Sequence, residues 1–363
     1  MRTTTYIAGT VAIAVTVGLT ACSSDGTAPT TASSTSGAPT DCAPPPEPDT
    51  TTVSGWIGYL NRHLEDTSLS VDTGKDDDGK DTRILHRADE KQPLASAVKV
   101  VHLAAYAQAV ADGRLDANEP IQVADWERWY LPGTDGGAHP KALERLGNPP
   151  TVTLDQLVSA MIQESDNAAT DYLLDRLGDR ALIDVTEAAG WVGFTPSTKL
   201  GSMLRLLDSS VTPDTERDAA RRYAADPAYR AQFAGKAMPG IEQQAEWAQT
   251  TERGSAADVA SIHRAIASGE FGAGTDIARR QLEWQPAPPG LAALGFKGGA
   301  LPGVLTDAMY IRRPDGTVAT AVLLNQRMPT DSWNAALQQL SEQQLLLSAL
   351  LEPEAAGQLT CAL

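Results

Sequence analysis

Ser96 and Lys99 stand three residues apart in Ser96-Ala97-Val98-Lys99, a spacing that puts two side chains on one face of a helix. A hydroxyl and an amine so placed make a nucleophile and its base. After Lys99, the stretch to Ala111 has His102 and Gln108 as its only polar residues, so this helix is expected to be buried nearly all round. Burial among Val98, Val100 and Val101 disfavours the ammonium and makes Lys99 a better base near neutrality. A helix N-terminus also offers unpaired backbone N–H groups to the oxyanion that forms when a serine attacks a carbonyl. Ser-x-x-Lys arises by chance about once in a chain of this size, and a capping serine before a surface lysine is the plain alternative. The setting favours chemistry. None of the other lysines follows a serine at this spacing, and a lysine in the most apolar helix of the domain needs a partner or a task.

Two later triplets join this pair. Ser165-Asp166-Asn167 falls between helical periodicities at 154–163 and 168–177, and Lys297-Gly298-Gly299 precedes an apolar strand. Each is weak alone, since Ser332-Trp333-Asn334 and Lys199-Leu200-Gly201 fit the same patterns. In order, the three elements resemble the Ser-x-x-Lys, Ser-Asp-Asn and Lys-Thr-Gly set of class A β-lactamases and penicillin-binding proteins. The resemblance covers about residues 51–351.

The resemblance implies a serine hydrolase with Ser96 as nucleophile, Lys99 as general base or proton shuttle, and Ser165 passing the proton to the leaving group. Asn167 would hold Lys99 or the substrate amide, and Lys297 would bind a substrate carboxylate. The oxyanion hole would use the backbone N–H of Ser96 and of Ala300, just past Gly299. Tyr130, in Trp126-Glu127-Arg128-Trp129-Tyr130, is expected at the pocket entrance. The implied substrate is a β-lactam, or a related small-molecule or peptidoglycan-derived amide or ester, and no cofactor is called for. The alternatives are a D,D-peptidase or esterase with weak β-lactam turnover, and a catalytically silent binding lipoprotein.

Three departures from the family pattern bear on turnover. Gly298 replaces the hydroxyl residue of the third motif, removing one hydrogen bond to a substrate carboxylate. No Glu-x-x-Leu-Asn segment, which positions the deacylating water in class A enzymes, lies between Asn167 and Lys297; Glu187, Asp184, Asp208 and Glu216 are only loose substitutes. A basic residue expected on the strand after the third motif is missing, and Asp307 stands in that strand. Acylation is therefore expected to outpace hydrolysis of the acyl-enzyme.

These residues need a scaffold. Alternating patterns around 69–71 and 84–86 predict two strands about a turn at 73–82, and further strands follow at 293–300, 304–312 and 317–325, with Pro314-Asp315-Gly316 turning the last pair. Helical spacing at Trp56, Ile57, Leu60 and Leu64 opens the domain, and one long amphipathic helix, 332–351, closes it. The expected fold class is α/β (α+β) and β-lactamase-like: an antiparallel sheet flanked by terminal helices, plus an all-helical subdomain. The hydrolase domain is placed at 53–363, its α/β part at about 53–90 and 290–351 and its helical part at about 91–289.

The chain of 363 residues is 42% hydrophobic, enough for a sizeable core, and its net charge of -17 argues against a nucleic-acid surface. Met1-Arg2 and the apolar run Tyr6 to Leu19 read as an export signal over 1–21, and Leu19-Thr20-Ala21-Cys22 resembles the lipobox of bacterial lipoproteins. Lipidation of Cys22 would hold the protein at the outer face of the cell membrane. Residues 22–52, rich in Ser, Thr, Pro and Ala, read as a flexible tether. Cys42 and Cys361 remain as a candidate disulfide. The five histidines form no close pair at metal-ligand spacing, and a monomer is expected.

Overall fold

The computed structural model describes residues 42–75 and 81–363. The export signal, Cys22 and the tether up to residue 41 lie outside the described residues, as do 76–80 of the expected turn.

The central sheet is antiparallel, in the order Arg83–His86, Thr67–Asp72, Val318–Asn325, Val304–Arg312, Ala293–Phe296. The expected strand at 293–300 is interrupted at Lys297-Gly298, and Gly299–Leu301 pairs separately with the same neighbour. Helices cover both faces, so the two long strands are apolar almost throughout instead of alternating with polar positions. The period of two still sorts their side chains. Leu305, Met309 and Ile311 meet the terminal helices, while Ala308 and Tyr310 meet the helical lobe.

The terminal layer consists of Val53–Arg62, Ser341–Leu351 and Pro353–Ala362, packed through Trp56, Leu60, Leu346 and Leu359. The expected single helix 332–351 is two, Thr330–Gln339 and Ser341–Leu351, separated by Leu340 at φ 53°. A further helix, Pro353–Ala362, has its proline in the first turn, where the missing N–H costs nothing. On the opposite face Ala256–Ser268 lies against the sheet, capped by Ser255 and Asp258 in a reciprocal box.

The helical lobe surrounds Lys99–Ala111, whose Val100, Val101, Leu103 and Tyr106 are fully buried. Helix Leu154–Gln163 starts on a Thr153/Gln156 capping box, and Asn167–Leu177 starts on Asp166, whose side chain accepts from the Ala169 N–H.

The segment Cys42 to Thr52, read above as tether, is attached to the domain. Thr50 is buried; its carbonyl accepts from Trp56 Nε1 and Ser341 Oγ, each at 3.0 Å. Cys42 and Cys361 are joined by a disulfide with Cα atoms 5.5 Å apart.

Candidate active site

Ser96 lies in a short 3₁₀ turn, Ala95–Val98, that runs into the helix beginning at Lys99. From Gln92 to Ala107 it is the one residue that is not buried. Ala95 before it has φ 48°, a conformation costly for a residue with a side chain, so the turn is held by its surroundings. Thr306 supplies part of that hold: its Oγ1 lies 3.0 Å from Leu94 O and 3.1 Å from Gly299 O. Gly299 comes so close that a Cβ there would fall 2.2 Å from the Ser96 nitrogen, which only glycine permits.

Lys99 is 0% exposed. Its Nζ reaches Ser165 O at 2.5 Å, Asn167 Oδ1 at 2.7 Å and Ser165 Oγ at 3.1 Å. A neutral amine has two N–H groups and one lone pair. The two carbonyl oxygens accept the N–H groups, which leaves the lone pair to a hydroxyl. Burial, and then the charges of Lys297 and Lys199, push the Lys99 ammonium well below its ordinary range, against the pull of Asp166 and Asp135.

Ser165 adopts φ 67°, again left-handed. Its Oγ is 3.1 Å from Lys99 Nζ and 3.1 Å from Lys297 Nζ, so one hydroxyl bridges two lysines. Lys297 is 3% exposed, and burial brings its pKa down to about 7 despite the nearby Asp307. Behind the second motif, Asp166 Oδ2 lies 2.7 Å from His139 Nδ1, with both side chains buried.

A cavity of about 670 Å³ opens over this group and is lined by Ser96, Ser165, Asn167, Lys297, Gly299 and Ala300. Seven of the eight residues assigned from the sequence, Lys99 included, thus come together. Tyr130 does not line this cavity. It stacks on His139 at 4.3 Å between centroids and lines a second cavity of about 610 Å³ that shares Thr134 and Met238 with the first. An aromatic residue in a loop is satisfied by any ring to stack on, and the sequence does not reveal that His139 is that ring.

The deacylating acid is likewise not where the sequence suggested. None of Glu187, Asp184, Asp208 and Glu216 lines the cavity; Glu216 pairs with Arg205 and Asp208 with Lys236. The carboxylates that do line it are Asp135, Glu164, Glu252 and Asp307. Each is engaged: Glu164 with Arg145 at 2.6 and 2.9 Å, Glu252 with Lys199 at 2.7 Å, Asp135 with the Gly137 and His139 N–H groups, and Asp307 with Gln343 at 3.0 Å. Nothing in the sequence singles out Asp135, Glu164, Glu252 or Gln343. Asp307 did carry a signal, as the lone acid in a mostly apolar strand. Among the described residues no group of His, Cys, Asp and Glu could hold a metal ion.

A half-buried serine, a buried amine with lowered pKa and a bridging hydroxyl, set at the junction of a sheet edge and a helical lobe, are the parts of a serine acyl-transfer site. The profile of the β-lactamase enzyme family matches residues 67–347, and the chain belongs to that family. No curated protein sequence matches it. Among solved structures, a β-lactamase from Sphaerobacter thermophilus superposes with a TM-score of 0.53 at 20% identity, covering 85% of this chain and 99% of that one. A variant class A β-lactamase of the last common ancestor of Gram-negative bacteria also gives 0.53, at 17% identity, covering 83% and 98%. At these identities the likeness is one of fold.

Proposed function

We propose that this protein is a serine hydrolase of the class A type that acylates Ser96 with an amide or ester of the cell envelope or with a β-lactam, and releases the acyl group slowly. The observation that carries the reading is the Ser165 hydroxyl held 3.1 Å from both Lys99 and Lys297, in the cavity that the half-buried Ser96 also lines. Neutral Lys99 takes the Ser96 proton as Oγ attacks the carbonyl. Backbone N–H groups of Ser96 and Ala300 hold the oxyanion, and Ser165 hands the proton on to the leaving group. A protein using the fold only for its shape has no need of a lysine buried at this point. Slow release follows from the cavity carboxylates: Glu164 and Glu252 are paired with Arg145 and Lys199, Asp135 is held by backbone N–H groups, and Asp307 is buried with one oxygen accepting from Gln343, so none is well placed to activate water at the ester. The same proposal has Cys22 lipidated and the domain displayed outside the cell membrane.

Reaction of the full chain with a fluorescent fluorophosphonate tests the nucleophile. Wild type is expected to be labelled and Ser96→Ala not; label that persists in the variant removes Ser96 from the role.

A further inference from the structure

Past Lys297 the wall of the cavity changes character. Asp307 is 2% exposed and accepts from Gln343 Nε2 at its Oδ1, and both residues line the cavity. Among the described residues, Asp307 Oδ2 and Gln343 Oε1 have no hydrogen-bond partner. Buried acceptors are nearly always matched by donors. Unmatched ones on a cavity wall call for a ligand that donates.

Gly298 belongs to the same arrangement. A Cβ at this position would lie 2.9 Å from Asp307 Oδ1 and 2.8 Å from Phe296 Cζ. The carboxylate thus crowds the space that a hydroxyl side chain would need. Two departures that look unrelated in the sequence, glycine in the third motif and an acid on the next strand, are one change in space. Together they remove a donor and set a buried carboxyl group, its pKa raised by burial to about 7, behind Lys297. A substrate carboxylate placed there would set its oxygens against those of Asp307 and Gln343 in a buried setting, which is costly.

We propose that this arm of the cavity receives a carboxamide of the substrate. Its carbonyl oxygen accepts from Lys297, and its NH₂ group donates to Asp307 Oδ2 and Gln343 Oε1. The proposal rests on the reading of Ser96 as nucleophile and deepens it: the bond cleaved belongs to an amide or ester whose leaving part ends in a neutral, amidated group.

Two thioesters that differ only in this group provide the test, N-benzoylglycyl thioglycolate and the corresponding thioglycolamide. With either, Ser96 Oγ would form the acyl ester as the C–S bond breaks, and the thiol would leave carrying the proton taken from Ser96. Binding to the full-length Ser96→Ala protein, measured by calorimetry, is expected to favour the amide by about tenfold. Asp307→Ala and Gln343→Leu, each made separately in that background, should reduce the preference towards unity; folding of each is checked by circular dichroism. Equal affinities, tighter binding of the carboxylate, or no binding of either compound overturns the proposal. Thiol release by the wild type keeps the two readings apart. Release without an amide preference sinks the subsite alone, whereas an amide preference in binding with no Ser96-dependent release sinks the nucleophile and leaves the subsite standing.

Discussion

Lys99 works by not being charged. Its pKa falls well below the ordinary 10.5, first through burial and then through the nearby lysines. A base must be deprotonated to act, so fluorophosphonate labelling of Ser96 is expected to rise with pH and level off well below 10.5. A rate that keeps climbing to that value would mean a lysine in water. Lys99→Arg keeps its proton throughout and should label about 10²–10⁴-fold more slowly. At this scale the sequence was informative about Ser96, Lys99, Ser165, Asn167 and Lys297, because motif order ties them together. It was silent on Asp307 as a neighbour of Gly298, since the contact joins one strand to an interruption before another. It was silent too on His139, which reaches Asp166 across 27 residues.

The elements act by approach. Strand Gly299–Leu301 comes against the Ser96 turn at a distance only glycine allows. Gly299→Ala is therefore expected to push the strand off the nucleophile and displace the Ala300 N–H from the oxyanion site. Labelling should slow by about 10²–10³-fold, the effect of losing one such donor. The thermal midpoint, read by circular dichroism on the same sample, should fall far less steeply than the rate. Labelling at the wild-type rate would rule out a tight approach. Most elements were legible from periodicity and turn residues. The break at Leu340 was not, because neither glycine nor proline marks it and the apolar repeat runs on through it. The interruption at Lys297-Gly298 was hidden in the same way, inside an apolar stretch that pairs with a single strand on both sides.

At the scale of the whole molecule, the sheet takes strands from near both ends of the domain, and the disulfide ties Cys42 to Cys361 beside the terminal helices. Cross-linking a long loop restricts the unfolded chain and stabilises by about 2–4 kcal/mol. Replacing both cysteines by serine should lower the urea midpoint accordingly and leave Ser96 labelling at its wild-type rate, because none of the cavity residues lies in the tied segments. A loss of labelling in the folded double variant would show that the ends shape the site. The antiparallel sheet with its helical lobe was readable from the order of patterns along the chain. The true start of the domain was not, since Cys42 to Thr52 has the composition of a tether and packs through Thr50 and backbone carbonyls.

That bond also imposes an order in time. The two cysteines are 319 residues apart, so the link cannot close until every residue between them has been synthesised. A chain broken off anywhere within that span leaves the Cys42 thiol without Cys361 and able to exchange with other disulfides. Closure therefore certifies a finished domain, and the free Cys42 thiol is a chemical flag by which unfinished copies can be told apart.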